Sequence, residues 1–275
     1  MNTARAHTDY VLGNSDAEYA RLTRQADTLA SCTARLFRDA GVASGHRVLD
    51  IGSGVGDVAL LTAGLVGNSG SVLGVDRDSQ ALGKARARAA AAGVTNVEFR
   101  ATELSALRLT GSFDAIVGRF VLMFLPDPLA TLRSLTALLR PGGVIVFQEP
   151  SWASFYAQVG HLPLRTACAD LLCTTFRRSG ARPDMALTLY QGLLDSGFQA
   201  PMLRVEVPMA HDAAAQAWLA DLIATLRPRF TELGVATDAV GDLDTLATRL
   251  RAELVAARSY DPLVGLVGAW ARKAA

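Results

Sequence analysis

The sequence predicts an α/β protein built on a doubly wound sheet, and three observations lead to that expectation. Strand-like and helix-like runs alternate five times between residues 45 and 150, at the intervals of about 20 to 30 residues that βαβ units need. The strand-like runs are apolar on both faces, as strands buried between two helical layers must be. A turn with three alternate glycines follows the first of them, in "VLDIGSGVGDVAL", Val48 to Leu60.

From about residue 15 to 40, Leu22, Ala26, Leu29, Cys32 and Leu36 recur at three- and four-residue steps, which predicts an amphipathic helix ended by "GVASGH". Arg47 to Ile51 reads as the first strand, and Val58, Leu61 and Leu65 mark one side of the next helix. "SVLGVD", Ser71 to Asp76, is the second strand; Asp78 and Ser79 are candidate caps of a helix continuing to Ala92. "NVEFRA" is the third strand and "SFDAIVGRFVLMF" supplies the fourth. In "PDP", Asp127 is placed to cap a helix with Pro128 in its first turn. Leu129, Leu132, Leu135 and Leu139 are expected on its buried face, with "VIVFQE" as the fifth strand.

After Glu149 the alternation breaks. Residues 150–184 read as an irregular segment followed by a helix, inserted as a lid. Met185 to Ser196 is a helix, "MLRVEVPM" a sixth strand, residues 213–256 two more helices, and "PLVGLVGAWARK" a terminal strand.

Half of the 275 residues are hydrophobic and 19% are charged, enough for one elaborated domain with a sizeable core. The formal net charge of +1, without any Lys/Arg block interleaved with aromatics, argues against a nucleic-acid partner. Cys32, Cys168 and Cys173 lack CxxC spacing and are expected to be reduced thiols. The polar start has no signal-like apolar region, and no apolar run reaches the ~18 residues of a membrane span. A cytoplasmic protein without membrane association, monomeric or homodimeric, is the expectation. No ligand spacing for a metal is present, so none is expected.

The glycine turn carries the chemistry. A nicotinamide fingerprint needs glycine where Asp57 stands, and no GK[ST] follows to make a phosphate-binding loop. Asp50 before the glycines and Asp57 after them would oppose a pyrophosphate on the helix N-terminus, each by roughly 3 kcal/mol at ~5 Å and an effective dielectric of ~20. Asp76 ends the second strand, where an acidic side chain accepts hydrogen bonds from ribose hydroxyls. The implied ligand has a ribose, a positive charge near the glycines and no phosphate, and S-adenosyl-L-methionine meets these conditions.

"VLDIGSGVGDVAL", "VLGVDRD", "FDAIVGR" with "LPDP", and "LLRPGGVIVFQEP" resemble, in order and spacing, four motifs of class I S-adenosylmethionine-dependent methyltransferases. "YVLGNSDAEYARLTRQA" and the ending "LVGAWARK" extend the likeness to a bacterial small-molecule group. The resemblance implies a Rossmann-like, seven-stranded sheet whose last strand is antiparallel, with N-terminal helices and helical lid insertions. It divides the chain into an N-terminal cap (1–44), the cofactor-binding core (45–150), a lid and acceptor insertion (151–185), and a completion of the core (186–275) with a further helical insertion at about 211–259.

It also implies site residues. Asp50, Gly52, Ser53 and Gly54 would surround the methionine part of the cofactor, Asp76 the ribose, Arg77 the adenine face, and Arg119 the floor below the sulfonium. Thr102 stands where the family often has an Asp for the adenine amino group, so Thr102 with a backbone group, or Glu103, would serve. Tyr10, Arg24 and Gln25 would fold over the cofactor and reach its carboxylate. Phe120, Met123, Trp152, Phe155 and Tyr156 are the expected acceptor pocket, and His161 and Glu149 the candidate catalytic groups. The expected activity is methylation of a small-molecule acceptor at O, N or C, in natural-product biosynthesis. A cofactor-binding protein without acceptor chemistry, or a nicotinamide-dependent oxidoreductase, are the alternatives.

Overall fold

In the computed structural model, which describes residues 11–13, 15–109 and 112–274, seven strands form one sheet in the order β3-β2-β1-β4-β5-β7-β6. The strands are β1 (Arg47–Ile51), β2 (Ser71–Asp76), β3 (Val97–Ala101), β4 (Phe113–Arg119), β5 (Leu139–Ser151), β6 (Gln199–Glu206) and β7 (Gly265–Arg272). β1 to β5 pair in parallel, and β7 runs antiparallel between β5 and β6. Strand order reverses between β1 and β4, which opens a crevice at their C-terminal ends.

Alternation along the strands sets the two layers. Val48, Val117, Val144 and Val146 pack towards α1 (Asp16–Ala40), α2 (Asp57–Val66) and α3 (Ser79–Ala91) through Leu36, Phe37, Ala59 and Leu82. Leu49, Ile116, Ile145 and Phe147 belong to the opposite core, shared with α4 (Pro128–Thr136) and α7 (Met185–Asp195). Burial on both faces is what makes these strands read as continuous apolar runs. Caps fix the helix starts: the carboxylate of Asp78 accepts from the Gln80 and Ala81 N–H groups, and that of Asp127 from Ala130.

The structure departs from the expectation in several places, and β6 runs from Gln199 to Glu206 rather than over "MLRVEVPM". Leu139 is not on the α4 face: it starts β5 opposite Phe113, and Leu129 is only half-buried. The fourth strand stops at Arg119, because Phe120 adopts φ 55° and residues Leu122–Phe124 wind into a single 3-10 turn. The segment after β5 is helical at once, with the Ser151 hydroxyl capping α5 (Trp152–Val159) ahead of α6 (Pro163–Arg178). Residues 213–256 hold three helices, α8 (Ala213–Gln216), α9 (Trp218–Glu232) and α10 (Leu246–Ala257). Tyr10 lies outside the described residues. None of the described helices is long and apolar enough to cross a membrane.

Candidate functional site

A cavity of about 1210 Å³ opens at the crevice between β1, β2 and β4, roofed by α1 and by α8 and α9. Its floor is the glycine turn. At Gly54, φ is 50° and a Cβ would meet nothing within 4 Å, so a side chain there would enter the cavity. At Gly52, φ is 65° and a Cβ would come within 2.4 Å of Val121, so this glycine serves the packing of the turn against the end of β4.

Asp76 stands beside the turn. Its Oδ2 accepts from the Gly54 N–H at 2.8 Å and its Oδ1 from the Asp78 N–H at 2.9 Å. Each oxygen keeps a lone pair for a further donor, and burial pushes the carboxyl above its usual pKa. Asp50 is 1% exposed at the end of β1; among the described residues no donor meets its carboxylate at full hydrogen-bond geometry, though the nearby Ala59 N–H eases its charge, and the Ser53 hydroxyl has no partner. Burial holds the Asp50 pKa well above normal, and the Arg119 guanidinium works against that rise. Arg119 is fixed in turn by the Thr33 hydroxyl at 3.0 Å, which bonds Gln148. Asp57 lies 2.6 Å from Arg88. That ion pair offsets the Asp57 charge and weakens the repulsion of a phosphate expected from it.

The structure brings together Arg24, Gln25, Gly52, Ser53, Gly54, Asp76, Arg77, Thr102, Glu103, Arg119, Phe120, Met123 and Trp152 around the cavity. Asp50 is buried behind this lining rather than part of it. Arg24 reaches across the roof to Asp221 of α9, at 2.9 Å. His161 is exposed, 2.9 Å from Ser259 and outside the cavity, which removes it as a base. Tyr156 also lies outside, its hydroxyl given to Asp170 at 2.7 Å, and Phe155 is fully buried behind the lining.

Glu149 is fully buried and not catalytic in placement. It accepts the N–H groups of Val121, Leu122 and Met123 at 3.1, 2.9 and 3.3 Å, pinning the turn after β4 that supplies Arg119, Phe120 and Met123 to the cavity. Burial raises its pKa to about 7, against the opposing pull of these three donors.

Residues that the sequence did not single out also line the cavity. Tyr19 and Arg21 come from α1, Phe124 from the turn after β4, Phe176 from α6, and Trp218 and Asp221 from α9. Tyr19 donates to the Asp78 carboxylate at 2.8 Å, and Arg21 is held by Glu18 at 2.6 and 2.7 Å. Apolar helix positions of this kind read as core, and only the three-dimensional packing turns them towards a cavity. Among the described residues, no group of three or more His, Cys, Asp or Glu is placed to hold a metal ion.

Residues 43–185 match a family described as "Methyltransferase domain". An arsenite methyltransferase of Aquipseudomonas alcaligenes is 43% identical over 113 residues, 38% of this chain and 33% of that protein. The aklanonic acid methyltransferase of a Streptomyces species is 33% identical over 108 residues, 39% of this chain and 49% of that protein. The chain thus spans less than half the length of these two curated relatives. The crystal structure of a putative methyltransferase from Bacillus halodurans aligns with 89% of this chain and all of its own, at a TM-score of 0.57 and 18% identity, a likeness of fold. With the strand order and the motif-bearing turn, the match identifies the chain as a member of the class I S-adenosylmethionine-dependent methyltransferases, whose cofactor is S-adenosyl-L-methionine.

Proposed function

We propose that this protein transfers a methyl group from S-adenosylmethionine to a small organic acceptor of the kind methylated in natural-product biosynthesis. The observation that carries the reading is the pairing of Gly54 with Asp76: a backbone open to the cavity is bonded to a carboxylate with lone pairs to spare. The residues fit the cofactor. Asp76 would accept from the ribose hydroxyls, and the Asp50 carboxylate and the unpartnered Ser53 hydroxyl sit at the end of β1 where the methionine part would be held. Arg77, Thr102 and Glu103 would flank the adenine.

When bound, the cofactor supplies a methyl carbon on a cationic sulfur, activated without help from a protein acid. What the chain must do is hold the acceptor and exclude water, since positioning reacting atoms ~3–3.5 Å apart can supply much of the rate enhancement. With His161 outside the cavity and Glu149 bound to backbone donors, positioning is the role left to the protein. Arg119, Phe120 and Met123 line the cavity at the end of β4 and would face the acceptor, and the Glu149 carboxylate holds the turn that carries Phe120 and Met123.

An arsenite acceptor is a poor fit. Arsenic(III) is soft and prefers thiolates, as soft metal ions do, yet Cys32, Cys168 and Cys173 are buried and none lines the cavity. Burial raises the thiols of Cys168 and Cys173 to about 12. The likeness to the aklanonic acid enzyme supports a carbon-framework acceptor instead.

The test is transfer of labelled methyl from S-adenosylmethionine to candidate acceptors, with calorimetric titration of S-adenosylhomocysteine and of NADH alongside. Tight S-adenosylhomocysteine binding, weakened about 10- to 100-fold in Asp76→Ala for the lost charge-assisted hydrogen bonds, is expected. Binding without transfer to any acceptor would leave a cofactor-binding protein, and tight NADH binding would leave an oxidoreductase.

A further inference from the structure

We infer that the acceptor is an uncharged, flat aromatic molecule bearing an oxygen substituent, held against the indoles of Trp152 and Trp218; this rests on the methyl-transfer reading above. The two insertions of the fold meet at this wall. Trp152 opens α5 and Phe176 lies near the end of α6, both between β5 and α7, while Trp218 opens α9, between β6 and β7. The two indoles lie 6.4 Å apart at 39°, and Phe176 lies 6.3 Å from Trp152 at 45°. Behind them the fully buried Phe155 ring meets both indoles edge-on, at 5.8 and 5.5 Å, and fixes their tilt.

Three features of the wall select the ligand. Fixed aromatic surfaces favour another ring, which gains from offset or edge-to-face contact as well as from burial; with Trp152 and Phe176 each 3% exposed, the half-buried Trp218 carries most of that contact. The cations beside the wall are committed, Arg24 to Asp221 and Arg119 to Thr33 and the neighbouring aspartates. An anionic acceptor held at the wall would have to break the Arg24–Asp221 pair to gain a counter-charge for the hydration it gives up. The Trp152 indole N–H is buried, in a side chain 3% exposed, and finds no acceptor among the described residues. Buried donors are nearly always satisfied, and a hydroxyl or carbonyl oxygen on the ring would satisfy this one.

The test is calorimetric titration of the full chain with 1-naphthol, naphthalene, naphthalene-1-sulfonate and arsenite, each with and without saturating S-adenosylhomocysteine. The expected result is 1-naphthol binding in the millimolar range or tighter, at least about tenfold tighter than the sulfonate, and no arsenite binding. Trp218→Ala should weaken 1-naphthol about tenfold or more while S-adenosylhomocysteine affinity stays within about twofold. Trp218→Leu gives the same readout should the smaller side chain unfold the protein. Trp152→Phe keeps a ring but removes the donor, and should weaken 1-naphthol about fivefold with naphthalene unchanged. Sulfonate or arsenite binding as tight as 1-naphthol, no detectable 1-naphthol binding, or unchanged 1-naphthol affinity in either tryptophan variant overturns the inference. Loss of S-adenosylhomocysteine binding with 1-naphthol retained would sink the cofactor reading and leave the acceptor class standing; the reverse result sinks the acceptor class alone.

Discussion

The end of the cavity proposed for the cofactor is built from a few neighbouring residues, whereas the end proposed for the acceptor is built from helices far apart in the chain. At the first, Gly52 and Gly54 lie in the turn after β1 and Asp76 ends the adjacent parallel strand β2, and backbone N–H groups lock the carboxylate in place. At the second, Trp152, Phe176 and Trp218 come from α5, α6 and α9 and meet only through the packing of their rings. A site held by backbone hydrogen bonds and glycine conformations constrains its own sequence locally. One held by packing depends on the tie that brings its helices together.

That tie is open to attack at Arg165. Buried on α6, it bonds Asp261 at 2.8 and 3.2 Å, Glu253 of α10 at 3.3 Å and the Leu250 carbonyl at 2.8 Å, fastening the first insertion to the second and to the approach to β7. Arg165→Ala leaves buried Asp261 without its partner and Glu253 with backbone donors alone, and should cost about 3–5 kcal/mol in urea unfolding. This is the largest effect expected, and a loss below about 1 kcal/mol would show that the acceptor end needs no such fastening. At the cofactor end the matching experiment is Gly54→Leu. Its side chain enters open cavity from a left-handed backbone, so S-adenosylhomocysteine affinity should fall about a hundredfold, with only ~1–2 kcal/mol of stability lost to the conformation. Normal binding by this variant would contradict a ligand lying against the glycine turn.

The contrast between the ends also explains what could be read from the sequence. β1 and β2 have the bounds that their apolar runs predict, and the α3 and α4 caps lie where Asp78 and Asp127 place them, because each is decided within a few residues. The run "FVLMF" was expected to continue β4; its break depends on Glu149, whose carboxylate collects the N–H groups of residues 121–123 from the neighbouring strand. The same distance hid the role of Glu149 itself, which reads as a candidate catalytic group in the sequence and holds a turn in the structure. The charge of Asp57 was misjudged because its partner Arg88 lies 31 residues away. Trp218 and Tyr19 sit on amphipathic helices as any core residue would, and nothing local marks them as facing a cavity.

Glu149 offers a pH test of the turn that joins the two ends. Its ordinary pKa of 4.5 is raised to about 7 by burial. The folded protein thus holds this proton more tightly than the unfolded chain does, so the stability it contributes is complete below about pH 4.5 and is lost as pH rises through 7. Glu149→Gln cannot lose a proton. Between pH 5 and 7.5 the wild type should lose more stability than the variant, measured as the change in urea midpoint. Asp50, Asp57 and Asp76 also have raised values but are common to both proteins, so they cancel in the difference. An equal or steeper fall in the variant would remove the buried carboxyl from the account of this turn.

The smallest effect is expected at Arg24, where α1 and α9 meet over the cavity. The residue was expected to reach the cofactor carboxylate, yet its Nη2 lies 2.9 Å from Asp221, in a pair whose side chains are 48% and 35% exposed. Exposed pairs contribute about 0–1 kcal/mol and weaken with salt, so Arg24→Ala should lower the melting temperature by no more than about 4 °C. The deficit should shrink as salt is raised, since the wild-type pair is screened and the variant has none. S-adenosylhomocysteine affinity should stay within about threefold, because the clasp joins the roof of one end to that of the other without belonging to the glycine turn. A tenfold loss of that affinity, insensitive to roof stability, would instead make Arg24 a cofactor ligand, and the two ends would then share a cation across α1 and α9.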